Sequence, residues 1–194
     1  MSGFKRYMAA AAATAAVGAA LFASSGPAAS AASPETAGTA ASGPADTARS
    51  VQVSRLTLRL ASDPGQVANV KGGGSANGTP IIQWPLSRTA NERWDATSMG
   101  GGYYRFESLE SGKCLNVKGG GTANGAEVIQ WTCGNANNEQ WKFVPTGKGY
   151  ELVVKSSNKC LNVAGGVGKG NALIQYTCAG ASNDIWLPVW EPVA

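Results

Sequence analysis

Asn116-Val117-Lys118-Gly119-Gly120-Gly121-Thr122-Ala123-Asn124-Gly125 restates, almost letter for letter, the earlier stretch Asn69-Val70-Lys71-Gly72-Gly73-Gly74-Ser75-Ala76-Asn77-Gly78. The same unit, with a shortened glycine loop, returns from Asn162. Outward from this block the first two copies align at an offset of 47 from Leu56/Tyr103 to Trp94/Trp141 without a gap, and the third follows at 46, falling to 45 after its loop. A period of this size marks an array of supersecondary units, each too small to bury an apolar face alone. Three copies, about 54–101, 102–147 and 148–194, therefore make one body.

What precedes the repeats has a different character. Lys5 and Arg6 lead into an alanine-dominated apolar stretch from Met8 to Ala23, and small residues follow at Ala29-Ser30-Ala31. This is the pattern of a secretory signal peptide over 1–31. A membrane anchor needs about 20 strongly apolar residues, which this segment does not supply, so no stable membrane anchoring is expected. Residues 32–53, rich in Ala, Ser, Thr, Gly and Pro, bury too little to offset ordering and read as a flexible leader. With Lys5 and Arg6 removed, the 16 basic and 12 acidic residues become 14 and 12. The charges are scattered and no run of Lys or Arg would track a phosphate backbone, so nucleic acid is not an expected partner.

Four cysteines in a secreted chain imply disulfides, and four allow three pairings. Cys114 and Cys133 occupy the two sites in the second copy that Cys160 and Cys178 occupy in the third, whereas the first copy has Val67 and Leu86 there. Joint replacement by apolar residues is what two touching, buried positions require. The expected bridges are Cys114–Cys133 and Cys160–Cys178, each worth about 3 kcal/mol on the chain-entropy model. The first copy, lacking one, is expected to be the loosest.

Residues 56–61, 103–109 and 149–155 are short β-branched or aromatic runs, each followed by a turn rich in Gly, Pro, Ser or Asn. A short strand ending in Asn-Val, a glycine loop, a strand such as 128–132, a polar loop and a strand opening at Trp94, Trp141 or Trp186 complete each copy. Four strands per copy and no helix predict twelve strands in a closed or nearly closed all-β body whose repetition protects its edges.

Lys-Cys-Leu-Asn-Val, a glycine-rich loop, Ile-Gln-Trp-Thr-Cys and then Asn-Glu-Gln-Trp together resemble the repeat of the ricin-type β-trefoil lectins. The resemblance covers the whole mature domain, 54–194, and implies a β-trefoil with three lobes about a pseudo-threefold axis and a sugar pocket on each lobe. In that family a carboxylate in the Cys-Leu-Asp-Val strand, an aromatic about fifteen residues on and an asparagine before the final Trp hold the sugar. The matching positions are Asn69, Trp84 and Asn91; Asn116, Trp131 and Asn138; and Asn162, Tyr176 and Asn183. Independently of the family, a sugar ring offers one apolar C–H face and a rim of hydroxyls, which an exposed aromatic plane and fixed polar side chains complement.

The chain departs from that pattern twice. Asparagine replaces the aspartate in all three copies, removing a charge-assisted acceptor. A glutamine commonly two residues before the aromatic is replaced by Ile82, Ile129 and Ile174, while Gln83, Gln130 and Gln175 stand one residue closer. On a strand of period two this moves the amide to the opposite face from the ring, so either the strand is bulged or the aromatic has another job. Trp94, Trp141 and Trp186 read as core plugs. The asparagines before them also fit a second role, satisfying backbone groups in a turn. The glycine loops lack the Lys-Ser or Lys-Thr pair and the following helix of a phosphate loop, and read as turns.

The chain has no histidine, which excludes the commonest general base. With its cysteines assigned to bridges it has neither a thiol nucleophile nor a Cys/His metal cluster, and no cofactor is called for. Glu92, Glu139 and Asp184 recur by symmetry, which fits a repeated structural role better than a catalytic pair in two different environments. The expectation is a secreted, non-catalytic protein, monomeric, that binds polysaccharide or clustered glycans through up to three weak sites acting by avidity. The rival from another class is a trefoil that binds or inhibits a protein partner, with the repeated aromatics in its core.

Overall fold

The computed structural model describes residues 54–191; the expected signal peptide 1–31 and leader 32–53 lie outside the described residues. Lobe 1 comprises β1 (Ser54–Leu60), β2 (Gln66–Val70), β3 (Ile81–Pro85) and β4 (Trp94–Gly100). Lobe 2 comprises β5 (Tyr103–Ser108), β6 (Cys114–Val117), β7 (Val128–Trp131) and β8 (Trp141–Thr146). Lobe 3 comprises β9 (Gly149–Val154), β10 (Cys160–Val163), β11 (Leu173–Tyr176) and β12 (Ile185–Trp190). This is an all-β trefoil with four short strands per repeat, as the sequence implies.

The first and last strands of each lobe form an antiparallel ring in the order β1-β4-β5-β8-β9-β12, and β12 closes it by pairing with β1 from Leu56–Trp190 to Leu60–Trp186. Closure leaves this barrel without an unpaired edge. The middle strands form three hairpins, β2–β3, β6–β7 and β10–β11. Single bridges at Pro80–Ile129, Glu127–Ile174 and Ile82–Ala172 join each hairpin to the other two around the axis.

The core obeys the same symmetry. Leu58, Phe106 and Leu152 from the barrel strands, and Val70, Val117 and Val163 from the hairpins, are fully buried in one cluster. Trp94, Trp141 and Trp186 are fully buried beside them. Each indole N–H donates to a carbonyl of its own lobe, that of Ala68, Leu115 or Leu161, at 3.3, 2.9 and 2.9 Å. A buried indole thus fills volume without stranding its one donor.

Two expectations need correction. The ungapped alignment of Leu56 with Tyr103 slips by one residue: Arg59 faces Val67, eight positions on, whereas Glu107 faces Cys114 and Val153 faces Cys160, seven on. The first turn is one residue longer, so Leu56 corresponds to Tyr104 and Tyr150, each paired with the terminal Trp of its lobe. Period two makes the slip unavoidable, because the ungapped register would set the half-buried Arg105 in the place of the buried Leu58. The expectation of no helix also fails locally: single 3-10 turns occur at Lys71–Gly73, Ala90–Glu92, Lys118–Gly120 and Asn137–Glu139. In the first and third of these, Gly72 and Gly119 take φ of 64° and 63°, which folds the loop sharply enough to read as a helical turn.

Candidate functional site

Within each hairpin the register is regular. Asn69 faces Ile82 and Val67 faces Trp84; in the other lobes Asn116 faces Ile129 and Cys114 faces Trp131, and Asn162 faces Ile174 and Cys160 faces Tyr176. There is no bulge, so the asparagine, the isoleucine and the ring share the outer face while Gln83, Gln130 and Gln175 point to the other. The rings stand out of the surface, with Trp84 37%, Trp131 47% and Tyr176 46% exposed.

The second asparagine of each copy reaches this face from the loop before the terminal Trp. Asn91 Nδ2 donates to Asn69 Oδ1 and to Val70 O, both at 3.0 Å. Asn138 does the same to Asn116 Oδ1 and Val117 O at 2.9 and 2.8 Å, and Asn183 to Asn162 Oδ1 and Val163 O at 3.0 and 2.9 Å. A carbonyl can only accept, so the atom facing it must be the amide nitrogen, and that in turn fixes the oxygen of the first asparagine toward its partner. The first asparagine keeps its own Nδ2 as a donor where an aspartate would have presented a second acceptor, and in lobe 2 the Asn116 Nδ2 lies 3.5 Å from the buried Glu139 Oε2, to which it donates. The second asparagine thus takes the structural role expected of it, satisfying a backbone carbonyl, and it also orients the first.

These residues line three hollows. The lobe 2 hollow, of about 580 Å³, holds Asn116, Trp131 and Asn138 over a floor that includes Ile129. That of lobe 1, about 300 Å³, holds Asn69, Trp84 and Asn91, and that of lobe 3, about 370 Å³, holds Asn162, Tyr176 and Asn183. All nine residues singled out by the repeats are therefore grouped three by three. Glycines of the first loop, Gly72, Gly119 and Gly165, also line the hollows, at φ of 64°, 63° and 71° that glycine adopts without strain.

The disulfides Cys114–Cys133 and Cys160–Cys178 form as the repeats require. Each starts beside its ring, at the residue paired with Trp131 or Tyr176, and so braces the strand that carries it. Glu107 and Glu151 lie near these bridges, but sulfurs joined in disulfides are no longer the thiolates a metal would take.

Glu92, Glu139 and Asp184 are buried and hold the polar loop. Glu92 accepts from the backbone N–H groups of Ser87 and Arg88 and from the Ser87 hydroxyl. Glu139 accepts from Gly134 N at 2.8 Å, and Asp184 from Ala179 N at 2.9 Å. Burial with backbone partners is a fastening role.

The role of the shifted glutamines is not legible from one repeat, because it lies between repeats. Gln130 Nε2 donates to Gly74 O and Ala76 O in the glycine loop of lobe 1, and Gln175 Nε2 to Gly121 O and Ala123 O in that of lobe 2. Gln83 Oε1 accepts from Gly168 N of lobe 3, closing the circle. Each loop is therefore clasped by the next lobe. Asn77 with Thr132 and Asn124 with Thr177 add a second clasp at two junctions. At the third junction Lys169 takes the asparagine's place, and its Nζ lies over the Trp84 ring at 4.6 Å. The signal available in sequence was the repeated Gln itself, at three symmetric positions inside strands.

The family model described as ricin-type beta-trefoil lectin domain-like matches residues 90–176 and 137–191, two placements that start one repeat apart and together span just over half of the chain. Among solved structures, the designed threefold-symmetric protein ThreeFoil is 32% identical, with 70% of this chain and 97% of that one covered and a TM-score of 0.67. An exo-β-1,3-galactanase from Clostridium thermocellum is 29% identical over 71% of this chain, with a TM-score of 0.66, and the match covers 30% of that enzyme. The Rhizoctonia solani agglutinin shares the fold at 20% identity, covering 73% of this chain and 98% of that one with a TM-score of 0.65. No curated protein matches the chain.

Proposed function

From the premise that this chain belongs to the ricin-type beta-trefoil lectin family, we propose that it is a secreted, non-catalytic carbohydrate-binding protein that holds polysaccharide or clustered glycans through up to three weak sites. The observation that carries this reading is the threefold recurrence of one exposed ring above a hydrogen-bonded asparagine pair in a hollow. The ring stacks on the C–H face of a sugar, and the polar groups of the asparagine pair meet the hydroxyls on its rim. Each shallow site binds weakly, and three on one rigid body gain affinity for any ligand long enough to span them.

Secretion rests on the signal-peptide pattern of 1–31 together with two disulfides, which persist in oxidising compartments. The carboxylates repeated near the sites are spent on loop backbone, which supports a binding role over hydrolysis. The rival, a protein-binding trefoil with these rings as core, requires buried aromatics, and the exposure of all three weighs against it.

The test is a broad glycan array, β-1,3-galactan included because of the galactanase relative, probed with the protein and with Trp84→Ala/Trp131→Ala/Tyr176→Ala. Retention of the parent on at least one glycan, reduced at least tenfold by the triple substitution, is the expected result. Unchanged retention, or none by the parent, sinks the proposal.

A further inference from the structure

The hollow of lobe 1 differs from its two relatives in three ways, two of charge and one of hydrogen bonding. Lys169, from the loop of lobe 3, lies with Nζ 4.6 Å from the centre of the Trp84 ring, a contact made where the other junctions have Asn77 and Asn124. Lys71 lines the same hollow and faces Pro80, to whose carbonyl it donates its backbone N–H. Its counterpart Lys118 faces Glu127 instead, and the two form an ion pair at 2.6 Å. In lobe 3 the corresponding residues are Ala164 and Ala172. Finally, Asn91 Oδ1, the acceptor that the asparagine pair leaves over, already accepts from the Thr89 hydroxyl at 2.6 Å. Alanine stands at that place in the other lobes, as Ala136 and Ala181.

One ammonium, that of Lys169, is thus brought to the ring beside this hollow, that of Lys71 stands where its counterpart Lys118 is ion-paired, and the spare acceptor is engaged. A neutral sugar stacking on the Trp84 face that Lys169 covers displaces that ammonium and offers it no counter-charge. A ring that carries an acidic group offers that ammonium a better partner and gives Lys71 a counter-charge, which it has none of among the described residues. Resting on the proposed function, we infer that the lobe 1 site takes an acidic sugar, bearing a carboxylate or a sulfate, while the other two sites take neutral rings. Pairs of this kind at a solvent-exposed site change affinity about three- to tenfold and are screened by salt.

The test isolates the site in a Trp131→Ala/Tyr176→Ala protein. Titration calorimetry then compares an oligogalacturonate with its carboxyl-reduced form, and a sulfated galactan oligosaccharide with its desulfated form, at low and high salt. The expected result is three- to tenfold tighter binding of one or both acidic probes at low salt, abolished by Lys71→Gln/Lys169→Gln, by high salt and by Trp84→Ala. Preference for the carboxylate alone, the sulfate alone or both identifies which acid is read. Equal binding of acidic and neutral forms overturns the inference, as does an acidic preference that survives the double lysine substitution or the loss of Trp84, which marks non-specific attraction to a basic protein. A Trp84→Ala protein that still binds glycans through the other sites confines such a failure to this inference, whereas absence of glycan binding by parent and variants alike defeats the sugar reading itself.

Discussion

Lobes 1 and 2 carry nearly the same hairpin sequence and reach the same fold with different fasteners. Lobe 2 closes its hairpin with Cys114–Cys133, while its Glu139 accepts one loop backbone N–H, that of Gly134. Lobe 1 sets Val67 and Leu86 at the cysteine sites and closes the same gap with a backbone hydrogen bond from Leu86 N to Gly65 O, at 2.8 Å. Its Glu92 gathers two backbone N–H groups and a hydroxyl from the loop. The difference teaches that the trefoil demands a closed hairpin and a tied loop, and leaves the means to each copy. A covalent link acts chiefly by restricting the unfolded chain, whereas hydrogen bonds act in the folded state alone.

The largest effect expected from this contrast is on the bridge. Replacing Cys114 and Cys133 together by serine lowers stability by about 3 kcal/mol, read as the denaturant midpoint of unfolding. It also raises hydrogen exchange in β6–β7 to the level of β2–β3, and an unchanged midpoint would break the comparison. Conversely, Val67→Cys with Leu86→Cys adds up to about 3 kcal/mol to lobe 1 if the sites are truly equivalent. A non-reducing peptide map checks that the new bridge forms.

Next comes the clasp between lobes. Gln130→Ala strands the carbonyls of Gly74 and Ala76 together with the Ser111 hydroxyl that Gln130 accepts from, and costs about 2–3 kcal/mol in thermal unfolding. Gln83→Ala loses only the Gly168 N–H and the Gln66 side chain, and costs about 1–2 kcal/mol. Equal losses would show that the three junctions are energetically alike despite Lys169.

Glu92→Gln removes a charge from the fuller of the two loop ties, and an expected cost of about 1–2 kcal/mol exceeds that of Glu139→Gln. The reverse order in chemical denaturation would mean that lobe 1 is not compensated in this way. Smallest of all, Thr89→Ala frees Asn91 Oδ1 and makes lobe 1 resemble the others. Binding of neutral glycans there should rise about two- to fivefold by calorimetry, the value of one exposed hydrogen bond.

Much of this molecule can be read from the chain because its information is repeated. The resemblance to the ricin-type repeat pointed to the same three positions, Asn, aromatic and Asn, in every copy, and the paired absence of cysteines at Val67 and Leu86 predicted which sulfurs meet. What escaped reading had one of two causes. The slip of Leu56 against Tyr104 arises from one extra residue in a turn, and a turn has no periodicity by which to detect it. The duty of Gln83, Gln130 and Gln175 lies between lobes, and alignment of copies with one another is blind to contacts from one copy to the next.

By itself, then, the chain determined the number of lobes, their strands and the bridges, because alternation along a strand and recurrence along the chain are local properties, while the choice of outer-face residues came through the family resemblance. Only the tertiary structure decided the closure of β12 on β1, the handing of each glycine loop to its neighbour, and the arrival of Lys169 at Trp84. Those depend on bringing residues more than fifty, and in the last case 85, positions apart into contact, and it is the joint burial of three half-exposed units around one axis that does so.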